Sequence, residues 1–313
     1  SDANSCVGTS FGSSTTVTVN PAATANAGGP YATCTTDPVN ITATASGSGT
    51  WSGGLGSFDD ATNTSTTYTP DISEIGGTVT LTWTTGDPDG AGPCGTVASN
   101  ASLTVNALPV VACPGNSGTC IDAVAFTLNN TGENPTGGTF TGTGVTANTF
   151  DPAAAGLGTH TITYTYTDGN SCINSCNFDI TVNDLPVVTC PADITNACTT
   201  DGPFTLAGNG ENPTGGTFSG PGVSGGDFDA GTAGAGTHSI TYSYLDGNSC
   251  TNTCTFNITV TEATPWYSDE LDNDGLGDPD VVLMACVQPD GYVADNTDLC
   301  PTEDGTVGSP CDD

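Results

Sequence analysis

Between Gly158 and Asp168 the chain alternates strictly. His160, Ile162, Tyr164 and Tyr166 fall on one side of an extended backbone, and Thr161, Thr163, Thr165 and Thr167 on the other. Successive side chains of a strand point to opposite faces, so a period of two in β-branched and aromatic residues predicts a half-buried strand. The pattern recurs at His238, Ile240, Tyr242 and Tyr244, and at Val79, Leu81 and Trp83. The clusters Asp168-Gly-Asn170 and Asp246-Gly-Asn248 end two of these runs as turns, because Gly, Asn and Asp tolerate tight backbone. No segment carries helical periodicity between capping residues. Short strands joined by Gly- and Pro-rich turns predict an all-β protein.

The alternation is part of a longer repeat. Asn106–Val182 and Asn183–Val260 are two copies of one module, each with an opening Cys-Pro, a GENPTGGTF stretch and a closing DGNSC. The spacing differs by one residue, which falls between Cys190 and Cys198. A divergent copy precedes them: Gly49–Asp59 matches Gly138–Asp151, and Gly77–Asp87 matches Gly158–Asp168. At the start, Asp2–Cys6 resembles Asp168–Cys172, and Thr16–Val19 resembles the closing strand Asp179–Val182. The predicted organisation is therefore the last hairpin of a truncated upstream module (1–20), three β-sandwich modules (21–105, 106–182 and 183–260) and a non-repeating segment (261–313). At roughly 80 residues per unit, the modules read as tandem immunoglobulin-like β-sandwiches in an elongated array, followed by an irregular calcium-loop segment.

Charge narrows what such modules do. The 313 residues contain no Lys or Arg against 34 Asp and Glu, a net charge of −34. Nucleic-acid binding releases counterions through cationic side chains, and attraction to anionic lipid needs the same groups. Both are excluded, as are Arg clamps, Schiff-base lysines and P-loop chemistry. With no salt bridge to a Lys or Arg available, the expected counter-charge is divalent cations. The sequence has no 20-residue apolar run, so membrane insertion by a helix is not expected. Modules this small bury a modest share of their surface and often need covalent help. Fourteen cysteines, at spacings that match no zinc site, predict disulfides and an extracellular location.

The strongest candidate for chemistry lies outside the repeats. Glu270, Asp272, Asp274 and Asp278 alternate around Gly275, and with the Leu276 carbonyl they fill positions 1, 3, 5, 9 and 7 of an EF-type calcium loop. Position 12 is Val281, so Asp295 and Asp298 are expected to complete the shell. Asp87-Pro-Asp89-Gly90 reads as a solvated turn before a second calcium loop. His160 and His238 take the slot that Val79 fills in the first module, which favours packing over catalysis. Trp51, Phe140 and Phe218 each follow a Gly-Thr pair and read as core plugs before a sugar-stacking platform. No Ser stands in a G-x-S-x-G elbow, and no enzyme activity is expected.

Through ANAGGPY, GTWSGG, TYTPDISEIGGTVTLTW and DPDGAGPC, the first module resembles the PKD-like modules of large bacterial surface proteins. The second and third resemble HYR or PKD-like repeats, through Cys113-Pro114, Cys190-Pro191 and the closing DGNS…C.F…TV. The C-terminal segment is similar to thrombospondin type 3 calcium loops, through WY…DxDGxGD ahead of Cys and DNTD, although Glu270 stands where Asp is usual. Arrays of this kind are typical of gliding-type adhesins of Bacteroidota. The resemblance implies bridges Cys113–Cys176 and Cys190–Cys254, leaving Cys120–Cys172 and Cys198–Cys250 within the same modules, with the inner and outer partners exchanged as the alternative. Cys34–Cys94 would close the first module and Cys286–Cys300 the last segment, with Cys6 and Cys311 left for sequence or chains beyond. The implied role is a non-enzymatic stalk, adhesin or filament segment stabilised by calcium. Its partners would be neighbouring modules, copies of the same chain, or a surface glycan or protein ligand. An accessory, carbohydrate-binding region of a secreted hydrolase is the alternative.

Overall fold

A computed structural model describes residues 22–88, 94–269 and 277–297. By compactness the chain divides into two units, one of residues 1–116, 125–151 and 160–180, the other of residues 117–124, 152–159 and 181–313. The second sequence repeat contributes to both.

One strand order occurs three times. The first repeat has a four-stranded sheet in the order Tyr31–Cys34, Ala98–Asn106, Thr78–Thr85, Gly49–Ser52. The second has Ser117–Cys120, Ile173–Asn183, Gly158–Thr167, Thr139–Thr141. The third has Ile194–Cys198, Thr251–Thr261, Gly236–Leu245, Thr217–Ser219. A three-stranded sheet accompanies each, for example Val39–Thr42, Ser65–Thr69 and Ser57–Phe58 in the first repeat. The hairpins are antiparallel, but in the first and third repeats the opening strand lies parallel to the closing one, with Cys34 opposite Asn106 and Cys198 opposite Thr261. Parallel pairing places the end of the opening strand beside the exit of the closing strand.

The alternation read from the sequence turns its apolar residues inward. Thr78–Thr85 buries Val79, Leu81, Trp83 and Thr85, while Gly236–Leu245 buries Ile240 and Tyr242 and leaves His238 half-buried. Each fully buried aliphatic or aromatic side chain contributes about 1.5–3 kcal/mol. In the first repeat Trp51, Trp83, Tyr68, Ile41 and Leu103 form one cluster, and in the third Phe228, Ile240, Phe256 and Ile258 form another. Glycine before the Thr-aromatic pair is a packing requirement. A Cβ on Gly49, Gly138 or Gly216 would stand 2.4, 2.4 or 2.3 Å from the carbonyl oxygen of Thr84, Thr165 or Ser243. Among the described residues helix is confined to single turns at Ile72–Glu74, Pro152–Ala155 and Ala230–Ala233.

The segment after the third repeat is more regular than its sequence suggests. Asp278–Ala285, Thr264–Ser268 and Tyr292–Val293 make a three-stranded antiparallel sheet in that order. Its edge strand exposes Val281, Val282, Leu283 and Met284, an apolar run that the sequence reading did not single out.

Candidate functional site

The structure's most distinctive chemistry is its cystines. Cys113–Cys176 and Cys190–Cys254 are formed, with Cα atoms 5.8 and 5.7 Å apart, joining the opening Cys-Pro to the closing strand of one repeat. Three further bridges between described residues leave their repeat. Cys34 joins Cys172, Cys120 joins Cys250 and Cys198 joins Cys286, over sequence separations of 138, 130 and 88. The first repeat is thus tied to the second, the second to the third, and the third to the C-terminal segment.

These pairs correct the expected Cys34–Cys94, Cys120–Cys172, Cys198–Cys250 and Cys286–Cys300, and strand direction explains why. Cys120 ends an opening strand, and the N–H of Ile121 beside it donates to the Asn183 carbonyl at the exit of the closing strand (2.9 Å). Cys172 sits immediately before that closing strand, Ile173–Asn183, which is 11 residues long. At about 3.3 Å per residue the two cysteines lie roughly 35 Å apart, whereas a bridge needs Cα atoms within about 7 Å. The same holds for Cys198, opposite Thr261, and Cys250, just before Thr251–Thr261. In the first repeat Cys34 stands opposite Asn106, at the far end of Ala98–Asn106 from Cys94. Cys94 is itself disulfide-bonded, and not to Cys34. Cys286 follows a strand whose Ala285 pairs with Thr264, three residues after Thr261. That returns it to Cys198, and the Thr261 carbonyl oxygen lies 3.2 Å from its Sγ. Cys6, Cys300 and Cys311 lie outside the described residues.

Local sequence shapes each half of a joint. In DGNSC, Asp168 Oδ1 accepts the N–H of Asn170 (2.8 Å) and of Cys172 (2.9 Å), and Asp246 does the same for Asn248 and Cys250 (both 2.8 Å). Ser171 and Ser249 take left-handed backbone angles, φ +67° and +66°, which turn the cysteine inward. Cys172 and Cys250 are fully buried. On the other half, the Cys34, Cys120 and Cys198 carbonyls accept from Asp37, Ala123 and Asp201 three residues on, so each cysteine opens a turn.

Buried carboxylates in a chain without Lys or Arg are the second feature, and the buried glutamates of the repeats draw their counter-charge from the backbone. Glu133 and Glu211 are each 6% exposed. Each curls back on its own loop: Glu133 accepts the N–H of Asn130, Thr131 and Gly132 (2.6, 2.9 and 3.2 Å), and Glu211 that of Gly208 and Asn209 (2.7 and 3.0 Å). Burial works to raise the Glu133 pKa, but the backbone N–H donors outweigh it and hold the carboxyl below its usual range. For Glu211 the Gly208 N–H is the leading cause, and the net direction is the same. In the first repeat, Glu74 accepts from Leu55 N–H (2.6 Å), Asp71 N–H (2.9 Å) and the Tyr68 hydroxyl (3.0 and 2.9 Å). Burial, with Glu74 alongside, pushes the Tyr68 hydroxyl up to about 12. Peptide dipoles neutralise these acids where other proteins use cations. The repeated GENPTGG and the capping box TPDISE carried this signal in the sequence.

The calcium candidates are only partly visible. Glu270, Asp272, Asp274, Leu276 and Asp298 lie outside the described residues, as do Asp89 and Gly90. Asp278 is 7% exposed, and its Oδ1 accepts the Asp280 N–H (2.8 Å). Asp295 accepts from Thr297 N–H and hydroxyl, and its carbonyl packs against Gly277, where a Cβ would meet it at 2.3 Å. The start of one expected ligand run and the end of the other therefore adjoin. Among the described residues no group of three or more His, Cys, Asp or Glu forms a metal cluster. Trp51 and Phe140 are buried and Phe218 is half-buried, with ring centroids 5.5, 4.7 and 4.8 Å from those of Trp83, Tyr164 and Tyr242, the first pair edge-on and the others tilted, so they plug the core. His238 Nε2 lies 2.8 Å from the Gly234 carbonyl oxygen, and both histidine rings rest 6.3 Å from Phe150 or Phe228.

No protein-family description matches the sequence, and no curated protein matches it. Solved structures do resemble it. A three-domain immunoglobulin fragment of titin, I67–I69, is 12% identical, covers 74% of this chain and 95% of its own, and has a TM-score of 0.30. The insect immune protein hemolin is 12% identical over 84% of this chain and 78% of its own, with a TM-score of 0.26. A calcium-stabilised, ice-binding adhesin of an Antarctic bacterium is 15% identical over 81% and 78%, with a TM-score of 0.33. The recurring sheet order is itself decisive for fold: the chain is an all-β protein built from tandem immunoglobulin-like sandwiches.

Proposed function

We propose that this chain is a structural and adhesive segment of a secreted bacterial cell-surface protein of the PKD-like and HYR-type class, with no catalytic role. One observation carries the reading: cystines link each repeat to the next instead of merely closing it. Such bridges persist in oxidising surroundings, and they add nothing to a hydrolytic or transfer chemistry. Buried acids capped by backbone N–H groups, and a surface without Lys or Arg, suit an exterior exposed to proteases of tryptic specificity. Shaving intact producing cells with a broad-specificity protease, followed by immunodetection, tests the location. Surface display with loss of attachment on deletion is expected, and retention inside the cell would contradict it.

Calcium belongs to the same proposal, held at the C-terminal loop by Glu270, Asp272, Asp274, the Leu276 carbonyl, Asp278, Asp295 and Asp298. Two features support it: a buried carboxylate at Asp278 in a chain without Lys or Arg, and the approach of Asp295 to Gly277. Extracellular sites of this kind bind at roughly 10⁻⁴–10⁻³ M. Calorimetry with calcium, on the wild type and on Asp278→Asn, is expected to show heat that the variant loses. No heat in the wild type would remove the site.

A further inference from the structure

The five bridges that join described residues have a collective property that none has alone, and it deepens the structural role proposed above. Starting at Cys34, the chain crosses to Cys172, runs four residues to Cys176, crosses to Cys113 and runs seven residues to Cys120. It then crosses to Cys250, runs four residues to Cys254, crosses to Cys190, runs eight residues to Cys198 and crosses to Cys286. The intra-repeat and inter-repeat cystines alternate without a gap. The covalent route from Cys34 to Cys286 therefore needs about 23 backbone steps and five cystines, where the backbone alone takes 252 residues.

We infer that this continuous cystine route is a tensile tie: pull on the two ends passes through it and by-passes the sandwiches. An extended residue spans at most about 3.5 Å, and each bridge adds the 5.6–5.8 Å between its Cα atoms. The oxidised stretch from Cys34 to Cys286 then cannot exceed roughly 110 Å even if every sandwich melts, against roughly 880 Å for the reduced backbone. The hairpins that hold the cores, Thr78–Thr85 with Ala98–Asn106 and Gly236–Leu245 with Thr251–Thr261, lie almost wholly in loops off the route. The route itself comprises the opening segments 113–120 and 190–198 and the first residues of the two closing strands, at 172–176 and 250–254. A sandwich protein without such a route lengthens by unfolding one domain after another. This one holds its length until a covalent bond yields.

Single-molecule pulling on the full chain, tethered at its termini, tests the inference. Including the residues outside the route, the oxidised chain is expected to stop at roughly 320 Å and the reduced chain at roughly 1,100 Å, a difference of about threefold. The Cys113→Ala, Cys176→Ala double variant forces a detour along 52 residues from Cys172 back to Cys120, so its oxidised limit is expected to rise by roughly 140 Å. Because the limit is set by connectivity, it reads out whether or not the variant's second repeat folds. Extension of the oxidised wild type beyond roughly 400 Å, or an unchanged limit in the double variant, would overturn the inference. The measurement uses no cells and no ligand. A chain that holds its length but never reaches a surface would refute the proposed location and leave the tie standing.

Discussion

The first repeat and the two that follow solve the same packing problem by different means. The first fills its core with rings: Trp51 stacks near Phe58 at 6.4 Å and meets Trp83 edge-on at 5.5 Å, while Phe58 meets Tyr68 at 4.9 Å. The others place a tyrosine where the first has Trp83, and use its hydroxyl. Tyr164 donates to the Pro135 carbonyl and accepts the Gly138 N–H at 2.9 Å, and Tyr242 does the same with Pro213 and Gly216. Trp83 Nε1 and Trp51 Nε1 are buried with no hydrogen-bond partner. The later repeats add a bridge between their own cysteines, Cys113–Cys176 and Cys190–Cys254, which has no counterpart in the first. An immunoglobulin-like sandwich without Lys or Arg can thus be secured either by aromatic volume or by a cystine with a hydrogen-bonded tyrosine.

Breaking the cystine arm of this comparison has the largest expected effect. Cys190→Ala with Cys254→Ala is expected to destabilise the third repeat by about 2–5 kcal/mol, measured by denaturant unfolding. Fluorescence from Trp51 and Trp83, both in the first repeat, read in a Trp266→Phe background, should keep its transition midpoint. A shift of the two together would mean that the repeats do not differ in the way described. Next comes close packing. Gly138→Ala and Gly216→Ala each drive a Cβ into a carbonyl oxygen and a tyrosine ring, and are expected to cost about 1–3 kcal/mol or more, read from thermal unfolding. Tyr164→Phe comes after these, at about 1–2 kcal/mol, because it leaves the Gly138 N–H and the Pro135 carbonyl unpaired.

The smallest effect is the pH dependence carried by the two buried glutamates of the later repeats. The folded pKa values of Glu133 and Glu211 lie below their unfolded ones, so their contribution is fully present above the ordinary glutamate range, near pH 4.5, and is lost as pH falls through the folded values. Glu133→Gln with Glu211→Gln is expected to lower stability at pH 7 and to flatten the acid limb of a stability–pH curve. An acid limb as steep as the wild type's would show that the carboxylates are not held as charged acceptors.

Much of this was legible in the residues. Alternation placed the strands, the 77-residue echo of Leu108 at Leu185 marked the repeats, and Val79 in the histidine slot marked packing. Cystine pairing was only half legible. The Cys-Pro and closing-strand cysteines lie at one end of a repeat and pair there. For the rest, grouping by sequence proximity misled, because it ignores that Cys120 and Cys172 sit at opposite ends of an 11-residue strand. Only the parallel pairing of opening and closing strands fixes which pole each cysteine occupies, and that pairing joins residues some 70 positions apart, such as Tyr31 and Leu103. The buried glutamates were legible only as local motifs, GENPTGG and TPDISE. A carboxylate that curls onto its own loop needs no partner elsewhere, and so leaves no charge pattern to read.

These sandwiches are bridged to one another, in addition to the bridge that closes each of the two later repeats on itself. Digestion of the unreduced protein with pepsin and an Asp- or Glu-directed protease, followed by fragmentation of the linked peptides, tests this linkage most directly. Peptides joining Cys34 to Cys172, Cys120 to Cys250 and Cys198 to Cys286 are expected. Recovery of Cys120 with Cys172, or of Cys198 with Cys250, would contradict the account.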